Sequence, residues 1–232
     1  LPLVKDYTKT DKRIEISGYD AYCLVIQGEP SSRAKEYIRW GEKQCYHKRS
    51  VTKSQQPWYR PTRQMLTSAR IIIPRSFNDT FIMHYNPKDY LSLRFYRLHP
   101  KQESEVALIA YLNTTLVALI IETLGNRSLG QGVLDFFMAD FLALRIPVVV
   151  NRDLEEAFYL IKDSPVLPVK EEYGLRVDGD GEAHIQPRTA RKQLDSIVFD
   201  ILRLTQGERE AVYEAVINLV EARLKKAGSL SP

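Results

Sequence analysis

The chain has 232 residues, 44% of them hydrophobic and 27% charged, with a formal net charge of +4. These values exclude disordered and collagen-like classes. The longest apolar runs, Val106–Leu112 and Leu116–Ile121, fall well short of the roughly 18 residues that span a bilayer.

In chain order, residues 12 to 27 read as strand material, with Ile14, Ile16 and Tyr22–Ile26 bounded by Gly18 and the Gly28-Glu29-Pro30 break. Ser31-Ser32 caps a helix from Arg33 to Glu42, whose face is marked by Ala34, Tyr37, Ile38 and Gly41. The polar stretch 43 to 56 reads as a loop. Short β-rich runs follow at 70 to 74, 80 to 85 and 90 to 98, separated by Pro, Asn and Asp as an antiparallel sheet requires. From Glu103 to Leu124 the apolar period becomes helical, ending at Gly125-Asn126 and a glycine-bearing turn to Gly132. Asp153 and Glu156 form a capping box for a helix over 154 to 163. Asp178-Gly-Asp-Gly joins Tyr173–Val177 to Glu182–Gln186 as a hairpin. Helices over 189 to 204 and 208 to 226 close the chain, with Thr205 and Glu208 as a capping box between them. The expected class is α+β, an antiparallel or mixed sheet with packed helices. Residues 1–188 form the main body and 189–232 a C-terminal helical pair packed on it.

The two cysteines, Cys23 and Cys45, lie far apart in sequence, which excludes a disulfide scaffold and a cysteine zinc site. No basic-then-apolar leader follows Leu1, so the expectation is a piece of a longer cytoplasmic protein.

The modest net charge hides an asymmetry. Residues 31 to 75 hold eleven basic side chains against Glu36 and Glu42, a local charge of +9, whereas residues 151 to 188 sum to −4. A polyanion is the partner that such a front attracts. In 39 to 75 the cations alternate with Trp40, Tyr46, Trp58 and Tyr59 and with small polar residues. Arg and Lys neutralise phosphates, and Arg and Gln also address base edges. Two readings stand open, a DNA-facing surface and a solvated loop whose Trp residues plug the core. Gly125–Gly132 offers a second candidate, with Arg127 and Gln131 in reach of a groove, against a plain helix cap and turn.

Self-contained chemistry is absent from the sequence. His47, His84, His99 and His184 lack metal-ligand spacing, and no Walker loop, nucleophile elbow or His-Glu-x-x-His occurs. Asn86-Pro87-Lys88-Asp89-Tyr90 resembles the Asn-Pro-Pro-aromatic loop of amino methyltransferases but has Lys88 for the second Pro and its aromatic one position late. A turn between strands is the expectation. No strand leads through a Gly-rich turn into a helix that would hold an adenosyl cofactor.

A wider pattern is more specific. It comprises Tyr37-Ile38-Arg39-Trp40-Gly41-Glu42, His47-Lys48-Arg49, Pro57-Trp58-Tyr59, Ile72-Ile73-Pro74, Phe81–Asn86, Leu112-Asn113-Thr114-Thr115-Leu116 with Glu122, and Gly130-Gln131-Gly132-Val133-Leu134. Over residues 20 to 226 this resembles the C-terminal half of N6-adenine DNA methyltransferases of restriction-modification systems, and the tail from Leu194 is similar to their helical end. The resemblance implies a target recognition domain that binds double-stranded DNA. S-adenosyl-L-methionine and the catalytic loop would belong to an N-terminal methyltransferase domain of the same chain, with or without a fused nuclease. It places Arg49, Lys53, Trp58, Tyr59, Arg75, Asn86, Arg127 and Gln131 near DNA, assigns no catalytic, cofactor or metal residue here, and leaves Trp40 and Asn113 to the fold. The alternative is a specificity-type subunit that docks a separate methyltransferase or nuclease through its C-terminal helices.

Overall fold

The first strand, β1 (Pro2–Leu3), pairs antiparallel with β2 (Ala21–Tyr22), and Leu1 donates its terminal amine to the Cys23 carbonyl. The computed structural model describes residues 1–4, 12–26, 28–101, 104–127, 132–143, 152–180 and 183–228. Between β2 and the central sheet runs an excursion containing α1 (Ser32–Lys43), a 3-10 turn at Tyr46–Lys48, α2 (Ser50–Lys53) and a 3-10 turn at Arg63–Leu66. The polar stretch expected as a loop thus carries short helical turns. Among the described residues of 12 to 27, strand pairing is limited to β2 and isolated bridges at Arg13 and Glu15.

The central strand is β3 (Ile71–Ile73), buried at all three residues. β4 (Ser76–Phe77) follows, then β5 (His84–Tyr85) and β6 (Tyr96–Leu98), and β5 and β6 flank β3 in antiparallel register. Three consecutive isoleucines suit a strand covered on both faces, since branched side chains pack densely on either side of the pleat.

The long apolar helix expected from Glu103 to Leu124 is two helices, α3 (Glu105–Leu112) and α4 (Thr115–Leu124), bent by 61°. The break has a physical cause at Asn113. Its carboxamide accepts from the Met83 amide at 3.0 Å and donates to the Met83 carbonyl at 3.1 Å and the Ile109 carbonyl at 2.8 Å, tying the helix end to the strand region. Next to it, Thr115 gives its backbone N–H (2.7 Å) and hydroxyl (2.6 Å) to the Asp195 carboxylate, which meets the amide end of α4. Among the described helices these are the most apolar, and both bury residues in the core. No single described helix is long and apolar enough to cross a membrane.

β7 (Leu134–Asp135) pairs with β4. Then come α5 (Met138–Ala143), α6 (Arg152–Ile161), α7 (Val169–Glu172), the hairpin β8 (Leu175–Val177) and β9 (Ala183–Ile185), α8 (Thr189–Ile201) and α9 (Gln206–Gly228). α6 starts at Arg152, ahead of the expected start at 154, so Asp153 lies inside its first turn, and Glu156 pairs with Arg152 at 3.2 Å. The box before α9 does form, with Thr205 donating its amide to Glu208 at 2.7 Å. Ile71, Ile109, Phe136, Phe158, Phe199 and Val216 fall in one hydrophobic core that takes in both α8 and α9. The architecture is α+β, helices around small antiparallel sheets.

His84 gives this core a pH limit. Its ring is fully buried, with Nδ1 3.1 Å from the Arg13 carbonyl, and burial pushes its pKa from 6.5 down to about 4. The unfolded chain takes up a proton near 6.5 and the folded chain only near 4. This contribution is therefore complete above 6.5, and about 3 kcal/mol of it disappears as pH falls through that window. Melting temperature measured from neutral pH downward should drop more steeply for the native chain than for His84→Gln. Parallel curves would contradict the burial.

Candidate nucleic-acid interface

The basic excursion is shaped first by α1. Ser31 is extended and accepts from the Ala34 amide at 3.3 Å, which starts the helix. Ile38 and Gly41 are its buried residues. Glycine is required at 41 by close approach, because a Cβ there would fall 2.6 Å from Cη2 of Trp58. The indole of Trp58 lies over that gap and donates to Glu42 at 3.3 Å, with Tyr59 edge-on to it at 6.0 Å. Trp58 and Tyr59, both half-buried, hold the excursion together and offer only part of their rings outward.

Cys45, in a left-handed conformation, ends α1 and turns the chain into the Tyr46–Lys48 turn. Thr52 donates to the Tyr46 and Arg49 carbonyls, which locks α2 beside that turn. Arg49 and Lys53, one at each end of α2, are both exposed, and the Arg49 guanidinium lies 4.2 Å above the Tyr46 ring. Arg60 donates to the Gly28 carbonyl, so the excursion closes on its own start.

A second group comes from β4 and β7. Arg75 is exposed, lies 5.2 Å from the Tyr96 ring, and accepts at its carbonyl from the Phe136 amide. Asn126 exchanges backbone hydrogen bonds with Asp135 on the other side of the same strand. That places Arg127 one strand further along, half exposed and 3.9 Å from Glu122. Adjacent residues of β6 join the two groups, Tyr96 under Arg75 and Arg97 donating to the Gln64 and Thr67 carbonyls at the end of the excursion.

Asn86 departs from the expected set. It is fully buried, its amide donating to the Ala69 and Tyr90 carbonyls at 2.9 Å and its oxygen accepting from the Tyr90 amide. Both of its N–H donors and its oxygen are engaged within the chain and the side chain is fully buried, so it presents nothing to a ligand. Gln131 lies outside the described residues. Conversely, Tyr37 and Trp40 are open to solvent on α1, whereas the sequence pattern puts Tyr37 on the packing face and leaves Trp40 to the fold. A helical wheel carries the missed signal. At 100° per residue Trp40 stands about 200° from Ile38, on the far side of the helix.

The electrostatics favour a polyanion. Of the eleven cations between 31 and 75, only Lys35 and Arg70 meet a carboxylate among the described residues, at Glu29 and Glu105. In the core the charges are paired internally. Glu122, fully buried, receives Arg223 of α9 at 2.9 and 3.1 Å, and that guanidinium also donates to the Asn78 and Gly132 carbonyls. Asp195, whose carboxyl burial pushes above the usual range, takes Thr115 and the Tyr213 hydroxyl. Among the described residues no group of three or more His, Cys, Asp or Glu is arranged to hold a metal.

No curated protein and no solved structure matches the chain significantly. A family model described as the C-terminal domain of the type II methyltransferase M.Eco57I matches residues 6–165, a span that takes in β2, the basic excursion, the central sheet and α6. With that model covering well over half of it, the chain belongs to the family of the type II methyltransferase C-terminal domain.

Proposed function

We propose that this domain reads DNA sequence for an N6-adenine modification methylase, binding duplex DNA through the basic excursion and the Arg75–Arg127 edge. Methyl transfer is left to an N-terminal domain of the same polypeptide. The observation that carries the reading is the set of exposed, unneutralised cations on α1 and α2. Such cations release condensed counterions when they meet phosphates, and the release drives affinity. Arg49, Lys53 and Arg127 are the phosphate and groove contacts, Trp58 and Tyr59 hold the excursion that carries the first two, and Arg75 extends the surface along β4. S-adenosyl-L-methionine is assigned to the N-terminal domain, because the named strands here pair antiparallel and none opens a parallel βαβ unit among the described residues. The apolar faces of α8 and α9 are spent in this chain's own core. That favours a domain within a methyltransferase chain over a subunit docking through those helices.

A salt titration of duplex binding tests the reading. With six or more phosphate contacts, affinity should fall about a thousandfold between roughly 50 and 200 mM salt. Absence of binding at the lower salt, or binding indifferent to salt, would reject it.

A further inference from the structure

Two rings of α1 stand open to solvent. Tyr37 is 57% and Trp40 45% exposed, and their rings stack at 5.3 Å with 25° between planes. Tyr46 meets Trp40 edge-on at 5.5 Å, and Arg49 covers Tyr46. Arg33, Tyr37 and Trp40 follow one another at four- and three-residue steps, so they form a stripe along the helix face turned away from Ile38. Exposed Arg39 and Lys43 flank the stripe, and Glu36 is its one acidic neighbour on α1. Stacked aromatic faces left in water beside unpaired cations are the two components that single-stranded nucleic-acid sites combine, a ring for the base and a charge for its phosphate.

We infer that the Tyr37–Trp40 pair is a base-stacking platform. It receives an unstacked base of the DNA held on the basic excursion, while Arg33, Arg39 and Lys43 hold the adjoining phosphates. This rests on the DNA-binding reading above. In an intact duplex both faces of each base are covered by neighbours, so only an unpaired base, a strand end or an opened step offers a free face. The preferred ligand is therefore DNA with an exposed base, and a perfect duplex engages the cations alone.

Trp40 emission provides the readout, since Trp40 and Trp58 are the two indoles of the chain and the difference between wild type and Trp40→Phe isolates the first. The probes are a single strand of about 12 nucleotides, its perfect duplex, and that duplex carrying one unpaired base. The difference emission should be quenched by the single strand and the unpaired-base duplex. Tyr37→Ala/Trp40→Ala should lose about tenfold in affinity for both, while its affinity for the perfect duplex stays within about twofold. Trp40→Phe should keep most of the binding. Because both rings are exposed, melting of the double variant reports whether the fold is intact. If the perfect duplex binds with salt dependence but the emission does not move and the double variant holds all three probes equally, the platform is overturned and the DNA reading stands. If no probe binds, both fall together.

Discussion

Replacing Arg223 with Met is expected to destabilise the domain by about 3–5 kcal/mol, the cost of leaving one partner of a buried ion pair alone. Glu122 is fully buried and Arg223 nearly so, joined by two hydrogen bonds of 2.9 and 3.1 Å. The same guanidinium closes the carbonyls of Asn78 and Gly132. Methionine fills much of the space but donates nothing, so a carboxylate and two backbone acceptors lose their donors at once. For a chain of this size the loss lowers the melting temperature on the order of 10 °C. Glu122→Met added to Arg223→Met should recover most of it, because an apolar pair of similar volume removes the stranded charge. The single variant should also weaken DNA binding. Arg127, now 3.9 Å from Glu122 and half exposed, becomes the nearest cation to a bare buried carboxylate and is drawn inward. A single variant that melts with the native chain would show that α9 does not deliver a buried counter-ion.

Reversing Arg49 and Lys53 together to Glu is the second large effect. Each reversal changes the charge facing DNA by two, and at contact distance in a water-like dielectric each unit is worth about 1 kcal/mol. Affinity for duplex should drop about 10²- to 10³-fold at low salt, and the salt dependence should flatten by about two ions. Lys192→Glu, an exposed reversal on α8 outside the basic stretch, serves as control and should cost far less. A loss equal on every DNA sequence identifies phosphate contacts, whereas altered preference at one position identifies base reading. If the double reversal binds as the control does, the interface lies elsewhere on the domain.

Local chemistry made much of this fold legible. Ser31 starting α1, the Thr205–Glu208 box, the hairpin around Asp178 and the isoleucine strand each depend on residues within a few positions of one another. What stayed hidden depends on distant partners. The apolar period runs unbroken through Asn113, because α3 and α4 both bury into one core. The bend is enforced by Met83, 30 residues away, and by Asp195, 80 residues from Thr115. Charge patterning located the basic excursion, since exposure of Arg and Lys is the default. It could not separate Asn86, consumed by a turn, from Arg49 beside open solvent, because both are polar residues in a polar context.

The Glu122–Arg223 tie spans 101 positions, and this has a consequence for synthesis. A ribosome makes Glu122, the Asn78 and Gly132 carbonyls, and Asp195 before it makes α9, which brings Arg223 and the Tyr213 hydroxyl. Until α9 emerges, buried Glu122 lacks its two close guanidinium hydrogen bonds and, among the described residues, has only Arg127 at 3.9 Å as a cation. Final packing around Glu122 is therefore expected to follow synthesis of α9, a long-range step that completes the core late.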